Sequence, residues 1–136
     1  MNDPLLTIFN IGLDLVDISR LANSINNGKQ PFLDKLFTAS EQQYCKNGSR
    51  PHEHFAARFA AKEAAMKVLG TGWSGGIKFT DFEVSNDSNG CPSLSLSGHA
   101  LETANKLGIV KWQISLSHTG DTAGAVAQAF SAHPGA

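Results

Sequence analysis

The sequence predicts a single mixed α+β domain built with hairpins, and three observations carry that expectation. Residues 8–16, IFNIGLDLV, alternate with period two, as a strand does. Residues 52–69 place Phe, Met and Leu at helical spacing within a run of alanines. Beyond Gly70 the pattern changes to short alternating runs separated by Gly, Asn, Asp and Ser, which read as hairpins. At 136 residues, with 41% hydrophobic and 17% charged, the chain suffices for one core and is globular in composition.

Taken in order, the first strand puts Phe9, Ile11, Leu13 and Leu15 on one face, the expected core face. Asn10, Gly12, Asp14 and Val16 share the other. A helix follows from about Ile18 to Asn26 and ends at Asn27-Gly28; a second covers about Pro31 to Phe37. Thr38-Ala39-Ser40-Glu41 has capping-box spacing and opens a short helix to about Lys46, which Asn47-Gly48 stops. The long helix spans about His52 to Leu69 and terminates at Gly70-Thr71-Gly72, with Gly75-Gly76 continuing a loop. Ile77–Val84 reads as a strand, SNDSNG (85–90) as a turn, and Pro92–Leu96 as the returning strand. His99–Lys106 fits a short helix closed by Gly108. Residues 112–117 and 123–130 read as strands joined by HTGDT. The domain is expected to occupy 1–136, with about 131–136 a frayed tail and no internal repeat.

Charge and composition exclude several classes. A formal net charge of −1 advertises neither nucleic acid nor a membrane surface. No apolar run approaches the roughly 18 residues a membrane span needs. MNDPLLTIFNIG lacks the basic and long apolar regions of a signal peptide. Cys45 and Cys91 are far apart and lack metal-ligand spacing, so a reduced cytoplasmic setting is expected.

The chemistry lies in three stretches. On the long helix, Phe55, Phe59, Met66 and Leu69 form one stripe that includes Lys62, while Ala56, Ala57, Ala60, Ala61 and Ala64 form the back. An alanine back suggests close approach of another element. Charges on a helix covered on most sides are costly unless paired, metal-bound or open to a cleft. Glu63 and Lys67 therefore read either as an i,i+4 surface pair or as a carboxylate for a cation beside an ammonium for a phosphate. Asp14 is out of place in an apolar strand next to Gly12; it either bounds the following helix or ligates a hard cation. His118 ends a strand among hydroxyls and a Gly turn, where it is structural, donates to a phosphate or acts as a base. Ser117-His118 lacks a G-x-S-x-G elbow, and GTGWSGG lacks the Gly-Lys-Ser/Thr of a Walker A loop.

Three stretches, IGLDLVDISRL (11–21), FAARFAAKEAAMKVLGTG (55–72) and ISLSHTGDTAGAVA (114–127), together resemble the holo-acyl-carrier-protein synthases, the short bacterial class of 4′-phosphopantetheinyl transferases. KLFTASEQQYC (35–45) and NGCPSLSLSG (89–98) are similar as well, so the resemblance covers about residues 10–130. It implies the 4′-phosphopantetheinyl transferase fold, an antiparallel sheet packed on a long helix, assembled as a homotrimer with interfacial active sites. It implies transfer of the phosphopantetheine arm of coenzyme A to a serine of apo-acyl carrier protein, with magnesium, releasing adenosine 3′,5′-bisphosphate, in fatty acid biosynthesis. Asp14 and Glu63 match the family's magnesium ligands. Lys67 matches the lysine on the coenzyme A pyrophosphate, and His118 a histidine near it. Gly70, Gly72, Pro92 and Thr119 fall where the family lines the nucleotide, and Arg20 matches a position that meets the carrier. Lys29, Lys35, Lys46 and Arg50 are candidates to extend a basic docking patch. Glu63, directly or through water, is the expected base, with a metal-bound water and His118 as alternatives. Cys91 departs from the family, which often carries a basic residue in that turn. Two other readings compete: a metal-dependent nucleotide or pyrophosphate hydrolase, and a catalytically inactive carrier-binding module.

Overall fold

The computed structural model describes residues 5–133. β1 (Leu5–Asp17) leads into α1 (Ile18–Leu36), which breaks at Lys29, a left-handed residue (φ 56°) two positions before Pro31. The two helices expected over 18–37 are the two halves of this kinked element. α2 (Ala39–Asn47) starts at the expected capping box: Glu41 N–H donates to Thr38 Oγ1, and Thr38 N–H to Glu41 Oε1. α3 (Pro51–Leu69) ends at Gly70, whose φ of 76° is the left-handed cap anticipated there.

β2 (Phe82–Asn86) and β3 (Pro92–Leu96) form a two-stranded antiparallel sheet. The strand expected from Ile77 begins only at Phe82. Phe79–Asp81 instead forms a 3-10 turn, because the Asp81 carboxylate accepts from Lys78 N–H and Ala100 N–H. That turn ties this segment to α4 (Gly98–Lys106). β4 (Ile109–Thr119) and β5 (Thr122–His133) complete a three-stranded antiparallel sheet of order β1-β5-β4. β5 continues past Phe130, since Leu6 and Thr7 pair with Ala132 and Ser131, so 131–133 are strand and not the expected tail; 134–136 lie outside the described residues.

α3 lies across this sheet on a surface of small residues. Ala123, Ala125, Ala127 and Ala129 of β5 are all buried and face Ala56, Ala60, Ala61, Ala64 and Ala65 of α3. Gly12 of β1 makes the approach closest: a Cβ there would collide with the Ala64 carbonyl and touch Val68. Small residues on both surfaces bring helix and strand backbones together, which sets Asp14 beside the last turns of α3.

This packing reverses the expected core face of β1. Gly12 and Val16 are buried, while Ile11, Leu13 and Leu15 stand 58%, 57% and 67% exposed on the far side of the sheet. The alternation correctly identified an apolar face. It did not reveal that the chain's own helix covers the opposite one.

Candidate active site

α3 answers the question its charges raise in two ways. Arg58 and Lys62 are structural in position. Lys62 is fully buried, and its Nζ donates to Glu41 Oε1 (2.7 Å), Leu36 O (2.9 Å), Phe79 O (3.0 Å) and Phe82 O (2.7 Å). Burial pushes its pKa below the ordinary lysine value, and the Glu41 charge opposes that. Four acceptors around three N–H donors hold it as an ammonium. Glu41 is completed by Val84 N–H on its second oxygen. Sequence spacing showed Glu41 as a capping residue; its second role, as counter-ion to a lysine 21 positions away, left no local signal. Arg58 donates to Asn86 Oδ1 and stacks over Tyr44, 4.3 Å from the ring centroid.

Glu63 and Lys67 face outward on the same helix, but they do not form the i,i+4 pair. Lys67 Nζ donates to Asp14 Oδ1 (3.1 Å) and Leu13 O (2.8 Å), reaching across to β1. Glu63 is half-buried. Burial first, and the Asp14 charge second, push its carboxyl above the ordinary range, while Trp73 and Lys67 pull the other way. The two carboxylates thus sense one another across the β1–α3 contact. Both line a cleft of about 510 Å³ together with Asp17 at the end of β1, Arg20, Leu21 and Ser24 of α1, and the rings of Phe32 and Phe59.

The donor set suits a hard cation that keeps much of its own shell. Among the described residues no group of three or more His, Cys, Asp or Glu converges. Two carboxylates from separate elements are nevertheless the protein share that magnesium takes when phosphate and water supply the rest. A carboxylate pair whose mutual repulsion raises one member's pKa is a site that a cation relieves.

The remaining predicted residues lie elsewhere. His118 Nε2 is 3.5 Å from Glu53 Oε2, near the start of α3, in a small cleft with Tyr44, His54 and Arg58. Glu53 precedes Glu63 by ten residues, roughly 15 Å of helix. His118 and Asp14 also sit on the two outer strands of the sheet, with β5 between them. Pro92 borders a third cleft with Trp112 and Gln128, and Thr119 is the last residue of β4. Gly70 and Gly72 adopt left-handed backbone with open space where a side chain would be. The structure therefore unites Asp14, Glu63, Lys67 and Arg20, and leaves His118, Thr119 and Pro92 apart within one chain. Sequence reasoning missed Trp73, whose side chain works against the upward shift of the Glu63 pKa and whose ring stacks on Phe79 at 3.8 Å.

Comparison with known proteins adds independent findings. A family model described as the 4′-phosphopantetheinyl transferase superfamily matches residues 10–128. A holo-[acyl-carrier-protein] synthase of Syntrophus aciditrophicus is 48% identical over 115 residues, 85% of this chain and 90% of that protein. The crystal structure of holo-[acyl-carrier-protein] synthase from Neisseria meningitidis matches with a TM-score of 0.81 at 31% identity, covering 90% of this chain and 98% of that one. The Helicobacter pylori holo-[acyl-carrier-protein] synthase in complex with coenzyme A matches with a TM-score of 0.78 at 30% identity, covering 88% and 99%.

Proposed function

The chain belongs to the 4′-phosphopantetheinyl transferase superfamily, and from that premise we propose that it is a holo-[acyl-carrier-protein] synthase. It transfers the phosphopantetheine arm of coenzyme A to a serine hydroxyl of apo-acyl carrier protein and releases adenosine 3′,5′-bisphosphate. The observation that carries the reading is the pairing of Asp14 and Glu63 across the β1–α3 contact, with Lys67 tethered at the same point.

Each residue then has a physical task. Asp14 and Glu63 would hold magnesium, which supplies charge neutralisation to a pyrophosphate undergoing displacement. Lys67 offers a fixed positive charge at that edge of the cleft; with a pyrophosphate present, its ammonium has anionic oxygens to bond besides Asp14. Glu63 accepts the serine proton, directly or through water, its raised proton affinity suiting a base better than an ordinary carboxylate does. Arg20, in the lining of the same cleft, meets the acidic carrier. Gly70, Gly72, Pro92, His118 and Thr119 line the nucleotide half.

That half requires a second copy of the chain. The exposed apolar row Ile11, Leu13 and Leu15, and the distance along α3 between the His118 and Glu63 regions, both support a homotrimer whose sites form between subunits. Among the described residues no helix is long and apolar enough to cross a membrane; a cytoplasmic location and a role in fatty acid biosynthesis complete the proposal.

The test is intact-mass spectrometry of apo-acyl carrier protein incubated with this protein, coenzyme A and magnesium. The expected result is a mass gain of one phosphopantetheine arm that disappears when magnesium is omitted or Glu63→Gln is used. Breakdown of coenzyme A without modification of any carrier would replace the transferase by a hydrolase. Intact coenzyme A and an unmodified carrier would leave only a binding module.

A further inference from the structure

The first turn of α1 is held by a residue more than a hundred positions away. Asp17 is its N-cap and accepts from Arg20 N–H at 3.1 Å. Asp121, at the tip of the β4–β5 hairpin, supplies three more bonds. Its backbone oxygen accepts from Ile18 N–H (2.8 Å), and its Oδ1 accepts from Ser19 N–H (3.1 Å) and Ser19 Oγ (2.6 Å). These satisfy first-turn donors that a helix leaves unpaired and that its own N-cap does not reach. The hydrogen bonds from Ser19 also hold the Asp121 carboxyl below the ordinary range.

The geometry fixes more than a helix end. Ser19 immediately precedes Arg20, and Asp17, Arg20, Leu21 and Ser24 line the cleft together with Asp14 and Glu63. On the other side, Asp121 is two residues from Thr119 and three from His118. One side chain therefore links the hairpin tip to the α1 lining of the cleft.

We propose that Asp121 is a positioning residue: through Ser19 and the first turn of α1 it sets Arg20 at the height where the carrier protein docks against the Asp14–Glu63 cleft. The inference rests on the transferase reading above. Asp121 touches no reacting atom in this account. It acts on carrier binding, and it leaves coenzyme A binding and the metal-side carboxylates alone.

The experiment measures transfer kinetics with apo-acyl carrier protein and coenzyme A varied separately, for the full-length wild type and for Asp121→Ala, Asp121→Asn and Ser19→Ala. Asp121→Ala is expected to raise KM for the carrier about fivefold, the scale of one lost helix cap. KM for coenzyme A is expected to stay unchanged. Asparagine keeps an acceptor oxygen at the same place, so Asp121→Asn is expected to restore carrier KM to near the wild-type value. Ser19→Ala, which loses only the hydroxyl bond, is expected to fall between. Hydrogen exchange at amides 18–21 is expected to rise in Asp121→Ala and not in Asp121→Asn. An unchanged carrier KM in Asp121→Ala would overturn the proposal while leaving the transferase reading intact. So would an equal rise in both KM values, which marks general loosening, or a failure of asparagine to rescue. A wild-type protein that modified no carrier would sink the transferase reading and this inference with it.

Discussion

Lys62 and Glu63 are neighbours in sequence with opposite fates, and the reason is their angle on one helix. About 100° separates them, which turns Lys62 into the junction of α1, α2, β2 and the 3-10 turn while Glu63 faces the cleft. Lys62→Met leaves Glu41 as a buried, unpaired carboxylate and is expected to cost about 3–5 kcal/mol. Lys62→Met with Glu41→Leu removes both charges and is expected to recover most of that loss. Urea denaturation of the two variants checks this; equal loss in both would show that the pair itself, and not the orphaned charge, matters. Cys45, fully buried beside this junction, has its thiol pushed up to about 11 by burial, so alkylation of the native protein is expected to label the exposed Cys91 alone.

At the scale of elements, the β1–α3 contact decides the site. Gly12→Ala places a methyl against the Ala64 carbonyl, so the strand must move off the helix. A destabilisation of about 1–3 kcal/mol is expected, the range for overpacking. Transfer activity is expected to fall further than stability explains, because Asp14 and Glu63 sit on the two surfaces forced apart. Thermal melts alongside kinetics below the melting range separate the two effects. A second contact gives a pH dependence. Thr38 Oγ1 and Ser40 Oγ donate to Glu83 Oε2 at 2.7 and 2.8 Å, joining the start of α2 to β2, and these bonds hold the Glu83 pKa below its ordinary value. A carboxylate with a lowered folded pKa binds fewer protons folded than unfolded. Its stabilisation is therefore present above the ordinary glutamate pKa of about 4.3 and lost as pH falls through the folded value. Urea midpoints of wild type and Glu83→Gln are expected to differ at neutral pH and converge in acid. A difference independent of pH would reject the linkage.

For the whole molecule, the exposed apolar row on β1 is the surface on which the proposed assembly is tested. Leu13→Asp puts a charge at its centre without touching the α3 side of the sheet. If this row forms the trimer interface proposed above, sedimentation velocity is expected to show a smaller species than wild type, and activity is expected to fall with it. A fully active monomer would place the complete site within one chain.

Much of this protein was legible in its sequence because local rules set it. The Thr38–Glu41 box, the Gly70 stop and the kinked pair of helices follow from capping and backbone preferences acting over a few residues. The motif residues Asp14, Glu63 and Lys67 were visible because each is a charge where an apolar pattern leaves no cheap place for one. Tertiary structure alone decided the rest. The buried face of β1 depends on which side accepts a helix backbone, and that depends on alanines of β5 more than a hundred residues away. Alternation has the same period whichever face is inward, so it could not decide between them. The Lys62–Glu41 pair and the Asp121 link to α1 both join residues distant in sequence. Each exists because packing brings donor and acceptor together, and no pattern along the chain encodes such a meeting.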